Sequence, residues 1–228
     1  MIGLHAFDNE YAQRAALVQA VSDALQSSLA NRIDPARVTL AVSGGTSPRP
    51  FLQALSQRLL DWARINITLV DDRWVPLIHP DSNARFVQDT LLQHAAREAM
   101  FQPLVDINQP PNAHIEALNM NVSRMLPDVA VLGMGKDGHI ASIFADSPQW
   151  DLAILTHDRY ILVQPRQALH LRVSFSLSAL KQIKRLFLLI SGQSKLDVLH
   201  AAIEQLQHNA ISKLANDMGV NVDAYWCA

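Results

Sequence analysis

Of the 228 residues, 49% are hydrophobic and 18% charged, and 19 basic against 21 acidic side chains leave a formal charge of -2. A sizeable core can therefore be buried, and no broad field recruits nucleic acid or anionic lipid. A lone cysteine, Cys227, excludes an internal disulfide framework or a cysteine zinc site, and neither a leader-like amino terminus nor a run of about 18 apolar residues occurs. The expectation is a cytoplasmic protein, off the membrane, whose partner is a small molecule.

In chain order, Asp8 is placed to cap an amphipathic helix in which Val18, Val21, Leu25 and Leu29 recur at three- and four-residue spacing, and "RVTLAVS" follows as a buried strand. "INITLV", "VAVLGM", "YILVQP" and "KRLFLLIS" read as further strands of a parallel sheet, with helices predicted near 48–60, 84–98, 112–126 and 194–208. This alternation predicts an α/β fold: an open, mostly parallel, Rossmann-like sheet with helices on both faces. There is no linker tract or repeat, and the Pro110 and Pro111 pair reads as a loop, so residues 1–228 are expected to form one domain. In such sheets ligands collect beyond the carboxyl ends of the strands.

Three of those ends carry groups suited to an anion. "GGTSPRPFLQAL" follows the first predicted strand, and its glycines free the backbone to turn N–H groups outward, while Ser47 can cap and Pro48 suits the first helical turn. The G-K-[ST] ending of a nucleotide loop is missing, and a Gly-Gly turn is also common as plain structure. In "DDRWVP", Asp71, Asp72 and Arg73 leave a strand together, either as a solvated turn or as an arginine fork for a carboxylate or phosphate oxygen. In "GQSKLDVL", Lys195 falls in a first helical turn, where a cation opposes the helix dipole unless an anion binds nearby. Arg172 in "LRVSFSL" is either a second contact or a surface residue.

The fourth end is "GMGKDGHIASIF", residues 133–144, whose first six letters fit the dinucleotide spacing G-x-G-x-x-G. That fingerprint should open a long helix in the first βαβ unit, whereas Pro148 follows within about ten residues. The glycine match is read as coincidental, leaving Asp137 and His139 two apart in a glycine-rich turn. Either they act as an acid-base pair or the histidine hydrogen-bonds into the core.

Taken in order, "SGGTSP", "DDRWVP" with "HPDSN", "GMGKDGHIASIF" and "SGQSKLDVL" resemble the motifs of the 6-phosphogluconolactonase family, in the larger group that includes glucosamine-6-phosphate deaminase. The match spans residues 43–199, with Thr46 and Ser47 reversing a commoner Ser-Thr order, Asp72 where the family usually has Glu, and a chain that stops at "VDAYWCA" without a longer tail. The resemblance implies hydrolysis of 6-phospho-D-glucono-1,5-lactone to 6-phosphogluconate, in the pentose phosphate or Entner-Doudoroff route. It implies His139 as general base with Asp137 beside it, Arg73 contacting substrate beside Asp71, and Gly44, Gly45, Thr46, Arg172 and Lys195 holding the 6-phosphate. One imidazole and one carboxylate in the loop predict no catalytic metal, which usually takes three protein ligands, and no nicotinamide cofactor is expected.

Three rivals are weighed against that reading. A serine hydrolase using Ser142 or Ser43 lacks a G-x-S-x-G elbow, and a sugar-phosphate sensor lacks a DNA-binding segment. A deaminase-like isomerase calls for a glutamate where Phe144 stands and usually has an uncharged aromatic where Arg73 stands. Monomer or dimer is left open.

Overall fold

The computed structural model describes residues 1–33 and 35–228. The chain runs through β1 (Ile2–Phe7), α1 (Glu10–Ala30), β2 (Val38–Val42), α2 (Arg49–Ser56), β3 (Ile65–Leu69), β4 (Asp71–Arg73), α3 (Asn83–Thr90), β5 (Met100–Phe101) and α4 (Pro111–Met120). It continues through β6 (Val129–Gly133), α5 (Trp150–Leu155), β7 (Tyr160–Val163), β8 (Arg172–Phe175), α6 (Leu177–Lys181), β9 (Arg185–Ser191), α7 (Gln193–Glu204), α8 (Ala210–Ala215) and β10 (Val222–Cys227).

Seven strands form one sheet in the order β1-β10-β9-β6-β2-β3-β5, and every neighbouring pair is parallel. The inner strands β2, β3, β6 and β9 are almost wholly buried, which accounts for their continuous apolar runs. Helix α1 packs against five strands, β1, β2, β6, β9 and β10, with Leu17, Val21 and Leu25 fully buried, and the buried Gln13 donates to the carbonyls of Ile190 and Tyr225, both at 2.8 Å, pinning the helix to β9 and β10.

Three strands, β4-β8-β7, make a second, antiparallel sheet. "YILVQP" therefore lies outside the parallel sheet in which it was expected. Tyr160, Ile161 and Val163 are as buried there as β3 is in the main sheet, because one apolar cluster backs both sheets, and a buried run carries no record of its partner's direction.

Local details also differ. Asn9, not Asp8, caps α1 by accepting from the N–H of Ala12 at 2.9 Å, and Ser47 does not cap α2, where Pro48 holds the cap position without a side-chain bond. The helix predicted over 84–98 stops at Thr90, and a separate 3-10 turn spans His94–Glu98, with an extended Gln93 between them. Pro111 opens α4 at its first turn, where a missing N–H is harmless.

Counting outward from β2, the chain first adds β3 and β5 on one side and then β6, β9 and β10 on the other. The order therefore reverses between β2 and β6, and the loops beyond their carboxyl ends diverge to leave a crevice.

Candidate active site

That crevice is a cleft of about 220 Å³. Three of its walls are the turn after β2, the loop after β6 and the turn entering α7. The fourth comes from the second sheet, where Arg73 and Arg172 are direct cross-strand partners on β4 and β8. Eight of the nine residues to which the resemblance gives site roles line it together: Gly44, Gly45, Thr46, Asp71, Arg73, His139, Arg172 and Lys195. Asp137 stands behind the imidazole, beside a second hollow that also borders Phe144 and Lys136.

One end of the cleft is rich in donors that lack acceptors. Gly45 takes φ of +95° to turn the chain after β2, and a side chain there would meet nothing within 4 Å. Among the described residues none accepts from the N–H groups of Gly44, Gly45, Thr46 or Ser47. Opposite them Lys195 has no ion-pair partner among the described residues, and burial, then nearby Lys136, hold its ammonium below the ordinary lysine value. The Nε atoms of Arg73 and Arg172 are buried without an acceptor. Burial also lowers Arg172, but Asp71 at 3.8 Å opposes the shift and a guanidinium stays charged. The two buried Nε atoms need an acceptor that no described residue supplies, and the donors gathered around them, all of one sign, fit a multiply oxygenated anion.

The other end holds the imidazole. Asp137 Oδ1 lies 2.6 Å from His139 Nδ1 and accepts from the His139 N–H at 3.3 Å. That hydrogen bond is the main reason the Asp137 carboxyl sits below the ordinary aspartate value. An ionised Asp137 makes Nδ1 the donor, so the ring's lone pair is on Nε2. The ring stacks on Phe144 at 4.1 Å between centroids, and the Arg172 guanidinium lies 5.3 Å from the same Phe144 ring. A Cβ on Gly135 would sit 2.2 Å from His139 Nδ1 and 2.4 Å from Asp137 Oδ1, so only glycine leaves room for the pair. Gly138, at φ of +80°, is packed on by Asn209, the α8 cap, and its carbonyl accepts from the Ile211 N–H at 3.0 Å. Among the described residues, the first helix after β6 begins only at Trp150, so the glycine loop does not open one. Ala141, at φ of +50°, adds local strain beside the site.

Behind these residues lies a set of braces that the sequence reading passed over. Asp72 accepts from the N–H groups of Arg73, Asn83 and Ala84, and burial nevertheless pushes its carboxyl up to about 6. Asn83 donates to the Asp71 carbonyl at 2.9 Å, so the Asp71–Arg73 strand is tied to the start of α3. Ser142 is fully buried and donates to Asp71 Oδ2 at 2.6 Å, while Ser43 accepts from the Gly133 N–H at 3.0 Å. Neither serine is bonded to His139, which removes the geometry a serine nucleophile needs.

A family model described as glucosamine-6-phosphate isomerases/6-phosphogluconolactonase matches residues 12–217. A 6-phosphogluconolactonase of Neisseria meningitidis serogroup A is 38% identical over 230 residues, covering 97% of each chain. One from Pseudomonas aeruginosa is 39% identical over 209 residues, 89% of this chain and 85% of the relative. The crystal structure of a 6-phosphogluconolactonase from Shewanella baltica superposes with a TM-score of 0.91 at 32% identity, over 100% of this chain and 98% of the other.

Proposed function

We infer that this chain, which belongs to the glucosamine-6-phosphate isomerase/6-phosphogluconolactonase family, is a hydrolase that opens 6-phospho-D-glucono-1,5-lactone to 6-phospho-D-gluconate. The observation that carries the reading is an imidazole oriented by a carboxylate at 2.6 Å, set across one cleft from the unpaired Lys195, the acceptor-less Nε atoms of Arg73 and Arg172 and a run of open N–H groups.

The phosphate belongs at the donor-rich end, on the N–H groups of Gly44, Gly45 and Thr46 and the cations of Lys195 and Arg172. Its binding does no chemistry, but it fixes the lactone carbonyl relative to His139. Nε2 of His139 removes a proton from water as the oxygen attacks C1, and the carbonyl electrons move onto the oxygen. Arg73 or a backbone N–H stabilises that oxyanion. When the carbonyl re-forms, the bond from C1 to the ring oxygen breaks, and the imidazolium returns its proton to the leaving oxygen. The acid so formed then ionises to the carboxylate. A δ-lactone is already an activated ester, so one positioned base contributing roughly 10²–10⁴-fold is enough, without a covalent intermediate. Asp137 keeps the tautomer and ring orientation, and Asp71 positions Arg172 and Ser142 from behind.

Residues 1–228 would work as one domain in the cytoplasm, serving the pentose phosphate pathway, with a phosphosugar lactone as partner and no nucleic acid. Among the described residues no helix is long and apolar enough to cross a membrane. Fresh 6-phosphogluconolactone, with spontaneous hydrolysis subtracted, tests the assignment directly. No enzyme-dependent rate would overturn it.

A further inference from the structure

Three side chains of metal-ligating type converge outside the cleft lining, joined to it through Arg73 and apart from the groups assigned above. His79 and Asp81 lie in the loop between β4 and α3, and His170 stands two residues before Arg172 at the entry to β8. His170 Nε2 is 2.9 Å from Asp81 Oδ2, His79 Nδ1 is 3.9 Å from the same oxygen, and the three ligand atoms all lie within 4.8 Å of one another. The two imidazoles meet edge to face at 5.4 Å. Among the described residues this is the one group of three such side chains whose ligand atoms converge.

We propose that His79, Asp81 and His170 bind a divalent transition metal, with zinc the best fit and a fourth position open to water. Bonds of about 2.0–2.1 Å in a tetrahedron place the donor atoms roughly 3.3–3.4 Å apart, inside the range spanned by these three. Closing the set takes shifts on the order of 1 Å in a loop whose Asp81 side chain is half exposed. The Asp81 N–H now donated to His79 Nδ1 is exposed, so water replaces that bond when the nitrogen turns to the metal. Two imidazoles and a carboxylate favour zinc, nickel or copper over magnesium and calcium.

The site would act on the cleft through its mountings. The Asp81 carbonyl accepts from Arg73 Nη1 at 2.7 Å, and Arg172 pairs in register with Arg73. A metal bridging this loop to β8 pins both strands that carry the cleft arginines, and its charge offsets the Asp81 carboxylate beside Arg73. The ion is a staple, not a reagent, and its binding stands whichever reaction the cleft performs.

The test uses the full chain freed of metal by a chelator, then titrated with zinc chloride by calorimetry and with cobalt(II) by visible absorbance. One equivalent of zinc is expected to bind with micromolar Kd or tighter, cobalt to give the intense bands of a four-coordinate site, and saturating zinc to raise Tm by about 5 °C or more. His79→Asn and His170→Asn should each weaken binding at least tenfold, while His139→Asn keeps it, separating this site from the active-site imidazole. His79 is exposed enough that its variant tests the proposal even if His170→Asn fails to fold. No single-equivalent binding below about 100 µM, only octahedral cobalt spectra, or binding that survives His79→Asn or disappears in His139→Asn would overturn the site.

Discussion

Gly135→Ala isolates the catalytic geometry from the fold. The glycine's φ lies outside the left-handed region, so alanine costs little in the backbone itself. Its Cβ, however, would sit 2.2 Å from His139 Nδ1 and 2.4 Å from Asp137 Oδ1, against ordinary contacts of about 3.5–4 Å. The imidazole and carboxylate must retreat by more than about 1 Å, and a misplacement of that size costs on the order of 10²-fold in rate. The displaced atoms belong to partly exposed side chains, 29% for His139 and 59% for Asp137, so the collision can be relieved towards solvent. We therefore expect kcat to fall about 10²-fold, KM for the phosphorylated lactone to stay within a few-fold, and the loss of stability to remain within about 1 kcal/mol. Initial rates on fresh lactone, paired with thermal melts, read all three. Parent-like turnover would refute the role given to the Asp137–His139 pair, and a collapsed Tm would show that the clash is carried into the core.

Complete removal of the base by His139→Ala should lower kcat by about 10²–10⁴ and leave 6-phosphogluconate binding intact by calorimetry; near-normal turnover would take His139 out of the mechanism. Lys195→Ala should instead raise KM roughly 10- to 100-fold, since it removes a charge-assisted contact worth about 1.5–3 kcal/mol, and an unchanged KM would move the phosphate elsewhere. Asp72 should impose a pH dependence on stability. With its carboxyl pushed from 3.8 up to about 6, the folded chain binds that proton more tightly than the unfolded one. Its contribution is full below pH 3.8 and is lost as pH rises through about 6. Parent stability relative to Asp72→Asn, from urea unfolding, should then drop by about 3 kcal/mol between acid and pH 7. A flat difference would mean that the three N–H donors fully offset burial, and a rise with pH that they outweigh it.

What the sequence made legible depended on how local the signal was. The inner strands β2, β3, β6 and β9 are buried on both faces, and their apolar runs were readable as such. The edge strand β1 is largely exposed, and β4 is written in Asp-Asp-Arg, so neither carries a hydrophobic pattern to find. Charged residues after strand ends pointed to the cleft because topology alone gathers those ends. The braces did not, since Ser142 reaches Asp71 across 71 residues of chain and no spacing rule spans such a distance. Ser47 misled for a different reason: it is a good capping residue next to a proline that takes the cap position itself.

The six letters G-M-G-K-D-G show why a motif needs its surroundings before it means a ligand. In a dinucleotide loop the absent side chains make room for the pyrophosphate. Here the missing Cβ of Gly135 makes room for His139 and Asp137, and that of Gly138 for Asn209 from α8, both inside 2.7 Å. The space is already filled by the protein, which uses it to hold an imidazole against a carboxylate. At Gly45 the result is the opposite, with nothing within 4 Å and a run of N–H groups that no described residue accepts from. On the proposed function, the anion site is therefore the Gly44–Gly45 pair in "SGGTSP", and the loop that fits the dinucleotide spacing supplies the acid-base pair instead.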